Sequence, residues 1–240
     1  MGIKGNSMFL KKSIFFIIFF LLAYVFVLWA GDTAVFVDLG FSPDGRTYMF
    51  GQYGVLSPSL RPWADLYVVD VNNNNFVPDG RITRTQDSAI RAGQDGSGVL
   101  HQLVSENSAL TSRYQINFQN QGLPLYISRD ENPPVNGERI TFRDFLSGNS
   151  YTARLIPAVT GSGFNVSSRF HIALDVILEN GNTKSYTVGS PNLVRQGIAQ
   201  YNFKRVLIDA GGRSIIFIIE MRRAAENGFD IRYMAEAVRL

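Results

Sequence analysis

Three kinds of segment differ in their pattern of hydrophobic and polar positions. The first, Ser13–Trp29, contains no charged residue. From Gly31 onward, short segments alternate apolar and polar residues, which is the two-residue period of half-buried β-strands. One internal segment instead has apolar residues near helical spacing (Val99, Leu100, Leu103 and Leu110) and predicts a helix at about 98–111. The pattern therefore predicts a mainly β fold of antiparallel meanders, packed as a sandwich or a partial propeller-like sheet, with one inserted helix.

The first 30 residues have the composition of an export signal. Three lysines precede the apolar run, and a small residue, Ala30, follows it. This order is typical of a secretory signal peptide. The run of about 17 residues also reaches the lower limit for a membrane-spanning helix. We therefore expect residues 1–30 to be a signal peptide, cleaved after Ala30, or an uncleaved anchor that holds the protein at the inner membrane through residues 13–29. Residues 31–240 are then a single exported domain, periplasmic or secreted.

Strands are predicted on both sides of the helix. Those before it are 34–39, 47–53 and 64–71, with turns at 43–45 and 71–80. A strand is also expected within 115–127. Those near the C-terminus are 138–145, 151–159, 169–178, 184–188, 201–208, 214–220 and 230–238. Asn180-Gly181 between two of these strands is a strong hairpin signal, whereas 191–200 is expected to be a short helix or a loop.

The two ends of the body carry a weak internal repeat. The segment Gly40–Phe50 aligns with Leu207–Phe217, and both contain a Gly-Arg pair followed by a small hydroxyl residue. Each unit is predicted to fold as strand, turn, strand, loop and strand. Two such meanders could each bury one face against the other.

Residues 40–71 resemble another known repeat. The segments FSPDGRTYMF and ADLYVVDV are similar to one blade of the TolB-type, WD40-like propeller, in which the Ser-Pro-Asp-Gly turn joins two strands. The second copy, at 207–238, keeps the Gly-Arg turn and lacks the Pro-Asp pair. A propeller needs about four blades or more, and 81–163 offers no further copy, so a complete propeller is not expected.

The whole chain also resembles an uncharacterised bacterial family of predicted secreted proteins, domain of unknown function 2259. The residues that carry this resemblance are GDTAVFVDLGFSPDGRTYMFGQYG, at 31–54, and WADLYVVDV, at 63–71. The resemblance implies export and assigns no activity.

Charge and cysteine content exclude several classes of function. The formal net charge of +3 comes entirely from Lys4, Lys11 and Lys12, because residues 31–240 hold 20 basic and 20 acidic side chains. A neutral body lacks the basic surface that nucleic-acid binding requires. The chain has no cysteine, which excludes disulfides, thiolate metal sites and a cysteine nucleophile.

Metal binding has one weak candidate. His101 and His171 are 70 residues apart and match no metal-ligand spacing, so both are expected to be surface residues. Asp70, Asn72 and Asn74 give the start of a calcium loop. Asn75 stands where that loop requires glycine, so a hairpin turn is the main interpretation and a weak calcium site the alternative.

The sequence carries no recognised catalytic motif. There is no Gly-x-Ser-x-Gly elbow, P-loop or dinucleotide-binding motif. The aspartates at predicted strand ends and turns are expected to cap turns, although a pair of them, or a serine with a histidine, could be brought together by the fold.

Aromatic residues supply the one predicted binding surface. Tyr53, Trp63 and Tyr67 cluster around the first meander. Core packing is the main interpretation, but exposed on a loop they could form a recognition surface. We therefore predict an exported, non-enzymatic binding protein with no cofactor. Its partner is an unknown envelope protein or other macromolecule, and it contacts a membrane only through an uncleaved N-terminal segment. The alternative is an envelope hydrolase.

Overall fold

The computed structural model describes residues 31–91, 93–129, 137–226 and 228–240. The predicted export segment, 1–30, lies outside the described residues. Within them, no helix has the length and hydropathy needed to cross a membrane. Residues Gly31–Leu240 form one compact unit.

The described residues fold mainly into β-strands. The strands are β1 (Val35–Phe41), β2 (Thr47–Leu56), β3 (Arg61–Asp70), β4 (Asn75–Thr85), β5 (Leu123–Ile127), β6 (Arg139–Arg143), β7 (Ser150–Thr160), β8 (Ser167–Ile177), β9 (Thr183–Val188), β10 (Arg195–Gln196), β11 (Ile198–Ile208), β12 (Ser214–Ala225) and β13 (Gly228–Arg239). The helices are α1 (Ser97–Glu106) and α2 (Ser108–Arg113), with a 3-10 turn at Gly163–Asn165. The predicted mainly β class is confirmed.

The strands form three antiparallel sheets. The N-terminal sheet has the order β1-β2-β3-β4, and the central sheet has the order β13-β12-β11-β5. The third sheet has the order β10-β8-β7-β6, with β9 also paired to β8. The pairing of β8 with β9 places Ile177 opposite Thr183 and confirms the hairpin predicted at Asn180-Gly181.

The central sheet lies between the other two, and the sequence of β12 explains why. Its apolar run Ile215–Ile219 does not alternate with polar residues, as expected for a strand buried on both faces. Ile215, Phe217 and Ile219 pack into a core with the third sheet. Ile216 and Ile218 point the other way and pack into a core with the N-terminal sheet. The arrangement is a layered sandwich.

The two helices cover the opposite face of the N-terminal sheet. The apolar residues of α1 pack on Met49, Leu66 and Val68. The single helix predicted at about 98–111 is broken at Asn107, whose side-chain Nδ2 donates a hydrogen bond of 2.8 Å to the Leu103 carbonyl. An asparagine amide competes in this way with continued helix bonding, and the chain restarts as α2.

The two meanders predicted by the internal repeat face each other. Their turns have the same hydrogen bond, from the Ser42 N–H to the Thr47 carbonyl in one and from the Asp209 N–H to the Ser214 carbonyl in the other, at 2.9 Å in each case. The turns also touch, because Ser214 Oγ donates a bond of 2.7 Å to the Gly45 carbonyl. The predicted burial of one meander against the other is therefore confirmed.

Two strands differ from the predictions. β4 occupies a segment that was expected to be mainly turn, because Pro78-Asp79-Gly80 is typical of turns. The structure accommodates these residues as an irregularity in the pairing of β3 with β4, with Asp79 at φ +60°. β10 is only two residues long and lies in a segment expected to be a short helix or a loop, where no alternation can be recognised.

Candidate functional site

A groove runs along the free edge of β13, and we call it the β13 groove. It consists of two adjoining cavities of about 130 and 360 Å³ that share Asn74 and Ser190. Met234–Arg239, which belong to β13, contribute residues to both cavities. The remaining lining residues come from 69–76, on the N-terminal sheet, and from 187–195, between β9 and β10. The groove therefore lies where segments of the other two sheets meet the edge of the central sheet.

Asn74 spans the groove. It follows the β3 strand in a left-handed conformation, at φ +47°, which asparagine tolerates better than most residues. Its Oδ1 accepts a hydrogen bond of 2.6 Å from the Ala237 N–H. Its Nδ2 donates to Glu236 Oε2. One side chain thus satisfies an edge N–H of β13 and a carboxylate on the same strand.

An ion pair lies at the centre of the groove. Glu236 is 4% exposed, and Arg195 Nη2 donates to its Oε1 at 3.2 Å. Burial raises the pKa of Glu236, while Asn74 and Arg195 oppose the rise. Gly189 permits this proximity, since a Cβ at its φ of +87° would lie 3.1 Å from Glu236 Oε2.

Arg195 is fixed by the core of the third sheet. Its guanidinium lies 4.9 Å from the centre of the Phe170 ring. Tyr201, below it, shares a hydrogen bond of 2.7 Å with Ser168 Oγ. Burial raises the pKa of Tyr201, so the phenol stays neutral and serves as a support. The charged pair is therefore preorganised.

The smaller cavity has apolar walls. Phe76 is 42% exposed, and its ring stacks on Tyr67 at a centroid distance of 5.4 Å. Leu193, opposite in the lining, is 53% exposed. Val69 and Met234 complete the apolar lining. This end of the groove can accept an apolar group, whereas the larger cavity is lined mainly by asparagine amides, hydroxyls and backbone.

A second polar cluster lies toward the other end of β13. Asp32 Oδ2 accepts bonds from Trp63 Nε1 at 2.8 Å and from Arg232 Nη2 at 2.6 Å. The Arg232 guanidinium also lies 4.0 Å from the Trp63 ring centre. Asp65 accepts bonds from Gln52 and Tyr67 in the same layer. The partners of these carboxylates are groups of the fold, so this cluster stabilises the sandwich.

The three aromatic residues predicted for binding do not form an open surface. Trp63 and Tyr67 are buried, at 4% and 9% exposure, in the core between the N-terminal and central sheets. Tyr53 points to the other face of its sheet and packs, half-buried, among the residues under α1. The sheet thus separates Tyr53 from the other two, and their binding role stays a prediction.

The residues proposed for calcium are also divided. The Asp70 carboxylate accepts bonds from the Asn72 and Asn73 N–H groups, at 2.9 and 3.2 Å, as in a turn. Asn74 turns away toward Glu236. Among the described residues, no three His, Cys, Asp or Glu side chains are grouped as metal ligands. The hairpin turn is present, and the calcium site stays a prediction.

The predicted alternatives for catalysis fall outside the groove. His101 is exposed on α1, and His171 is half-buried in β8 beside a shallow cavity bounded by Pro157 and Pro191. Neither histidine lines the β13 groove. A hydrolase built on a serine and a histidine, or on two aspartates, stays a prediction.

Sequence reasoning missed the groove residues Asn74, Arg195 and Glu236 as a set. They come from three segments that are far apart in the sequence and belong to different sheets. The only local signal is the run of four asparagines at 72–75, and this run predicts a turn with a weak calcium motif.

Comparison with known proteins places the chain in a family without assigning an activity. No curated protein and no solved structure matches it. The family model described as "Predicted secreted protein (DUF2259)" matches residues 49–239, which cover both meanders from β2 onward and the whole β13 groove. The chain therefore belongs to this family of predicted secreted proteins.

Proposed function

We propose that this protein is an exported, non-enzymatic binding protein that holds a macromolecular partner of the cell envelope in the β13 groove. The observation that carries the proposal is the pair of adjoining cavities along the free edge of β13, with the preorganised Arg195–Glu236 pair between their walls. Ligand sites are typically concave, with apolar walls and a few fixed polar groups, and the β13 groove has this composition.

The chemistry of the groove supports binding over catalysis. Its one buried carboxylate, Glu236, is paired with Arg195 and Asn74. A general acid or base must reach the proton that it transfers, whereas these three groups are directed at one another. They therefore hold the shape of the groove.

Export is part of the same proposal. Membership of a family of predicted secreted proteins supports it, as does the signal-like composition of residues 1–30. We propose cleavage after Ala30, which releases a body that begins at Gly31 in the periplasm or beyond. Mass spectrometry of the N-terminus of the protein recovered from cells checks this step. An intact Met1 would show that the segment is retained.

The binding role is tested by photo-cross-linking in living cells. A photoreactive amino acid is placed at Asn73 or at Ser190, which line the groove from opposite sides and are exposed. The matched control position is Ser105, which is exposed on α1 and lines neither cavity of the groove. We expect both groove positions to give the same discrete adduct and Ser105 to give none. An adduct at all three positions, or at none, contradicts the proposal.

A further inference from the structure

We propose that the occupant of the β13 groove is an extended segment of a partner protein, which pairs as an added strand with the edge of β13 and inserts one apolar side chain beside Phe76. This inference depends on the binding function proposed above and names the class of partner.

The floor of the groove is the edge of β13 that faces away from β12, and other groups of this chain already bond most of its outward N–H groups. The N–H groups of Ile231, Tyr233 and Ala237 all point away from β12, since their acceptors are the Asp32 carbonyl, Gln52 Oε1 and Asn74 Oδ1. Outward N–H groups recur at every second residue of a strand, so Ala235 also presents its N–H outward. Ala235 lines the smaller cavity. The edge is therefore able to pair with another strand there.

The same edge already pairs with an extended segment of this chain, at a single isolated bridge. Residue Thr33 forms a parallel bridge with Ile231. The Ala34 N–H donates to the Ile231 carbonyl at 3.0 Å, and the Ile231 N–H donates to the Asp32 carbonyl at 2.8 Å. This bridge occupies the beginning of the edge, and the groove follows the edge from Met234 onward. Six residues of β13, from Met234 to Arg239, span about 20 Å at the rise of a β-strand.

Asn74 takes the place of a strand at the middle of this edge. Its side-chain amide accepts from the Ala237 N–H, as a neighbouring backbone carbonyl would. An incoming strand that continues past Ala235 must displace it. The cost is limited, because Glu236 keeps its bond from Arg195 and the Ala237 N–H gains a backbone partner. Asn74 is thus a competitor for the site.

The smaller cavity defines a preference for an apolar side chain. Its volume of about 130 Å³ is close to that of an engineered cavity, roughly 150 Å³, that binds benzene. Val69, Phe76, Leu193 and Met234 form its apolar walls, and the Arg195–Glu236 pair also lines it. Side chains of a bound strand alternate between its faces, so one apolar residue can enter here while the partner backbone reaches Ala235.

The experiment uses peptides selected from a random dodecamer library on the full-length protein. Each selected peptide is then measured against three variants and as a backbone N-methylated analogue. Ala235→Pro removes the outward N–H and leaves the bonds to β12 in place. Proline is tolerated at a strand edge when its N–H position faces outward, so we expect this variant to fold. Phe76→Asn alters the cavity wall and tests the apolar preference without depending on Ala235→Pro. Asn74→Gly removes the competing amide and tolerates the positive φ.

We expect about tenfold weaker binding to Ala235→Pro and to Phe76→Asn, similar weakening by N-methylation, and severalfold tighter binding to Asn74→Gly. Melting temperatures and circular dichroism identify any variant that fails to fold. Failure to enrich any peptide, or peptides that bind all three variants as they bind the natural protein, overturns the inference. If the cross-linked groove adduct resists proteases, the partner is not a protein, which overturns this inference but leaves the proposed binding function standing. If no groove adduct forms, the inference and the proposed binding function are both contradicted.

Discussion

The buried carboxylate of Asp32 has a structural role. Removing it, and comparing the loss of stability with that of an exposed pair, shows how much the fold depends on this buried charge. Asp32 is the acceptor for Arg232 and Trp63 inside the sandwich. Asp32→Ala leaves the Arg232 guanidinium, whose side chain is 17% exposed, without its counter-charge. Loss of one partner of a buried pair costs about 3–5 kcal/mol, and we expect a loss of unfolding free energy of that order in urea denaturation.

The control is an exposed pair in the same protein. Asp87, whose side chain is fully exposed, lies 3.0 Å from Arg61. Exposed pairs contribute about 0–1 kcal/mol, so Asp87→Ala is expected to change stability little. Equal losses for the two variants would show that the Asp32 cluster does not hold the layers together.

Asp38 makes stability depend on pH. It lies in the layer between the N-terminal and central sheets, where burial raises its pKa to about 6, against the opposing effects of the Tyr48 hydroxyl, the Gly40 N–H and Arg205. The folded protein therefore binds this proton more tightly than the unfolded chain. The charged carboxylate costs stability above pH 6, and the cost disappears as the pH falls toward 4.

The measurement compares Asp38→Asn with the natural protein from pH 4 to pH 8. An amide oxygen can still accept from Gly40. We expect the variant to be more stable above pH 6 by up to about 3 kcal/mol, since one pKa unit corresponds to about 1.4 kcal/mol, and to lose this advantage near pH 4. A difference that does not vary with pH would show that Asp38 titrates normally.

At the scale of elements, the two meander turns provide a matched pair of glycines. Gly45 and Gly212 have nearly the same φ, +69° and +66°. A Cβ on Gly45 would lie 2.4 Å from Asp209 Oδ2, whereas one on Gly212 meets nothing within 4 Å. Gly212→Ala therefore incurs conformational strain of about 1–2 kcal/mol, and Gly45→Ala adds a steric clash between the turns.

We expect Gly45→Ala to lower the melting temperature clearly more than Gly212→Ala. Thermal unfolding of the two variants gives the comparison directly, because the strain is common to both. Equal shifts of the melting temperature would mean that the facing turn moves aside without a loss of stability.

The elements also show what the sequence can and cannot predict. Strands such as β8 and β12 can be recognised in the sequence. Burial imposes an alternation of apolar and polar residues, or a run of apolar residues, and either pattern lies within one short segment. β4 was misjudged because Pro78-Asp79-Gly80 interrupts it, and the pairing with β3 that permits the irregularity is not visible in sequence. The aromatic pattern around Trp63 correctly indicated a core. The side to which each aromatic points depends on which layers cover the sheet.

Local sequence patterns do not reveal the groove, for a related reason. Asn74, Arg195 and Glu236 meet only after three sheets have been stacked. Each residue alone has an ordinary explanation: a turn asparagine, a loop arginine and a strand glutamate. The site is a property of layer order, and the sequence signals for that order, such as the uninterrupted apolar run of β12, do not identify the edge that remains open.

At the scale of the whole molecule, the fold constrains how export and folding are ordered. Gly31 and Asp32 directly follow the predicted cleavage position, and both belong to the folded body. A Cβ at Gly31 would lie 2.1 Å from the Phe229 carbonyl oxygen, and the Asp32 N–H donates to Asp230 Oδ1 at 2.8 Å. A protease must hold the chain in extended form on both sides of the bond that it cuts. The native body holds the downstream side in place. If the chain is cleaved after Ala30, as we propose, cleavage therefore has to come before the N-terminal residues pair with β13.

We expect purified full-length protein that still carries residues 1–30 to resist signal peptidase while folded and to be cut after Ala30 when urea unfolds the body. The control is a variant with a flexible Gly/Ser insertion between Ala30 and Gly31, which moves the scissile bond away from β13 and should be cut in the folded state as well. The readout is the mass of the product over time. Equal cleavage of the folded and unfolded natural protein would show that the Gly31–Asp32 contacts open freely. Resistance of both, with the insertion variant also uncut, would identify the N-terminal segment as a permanent anchor.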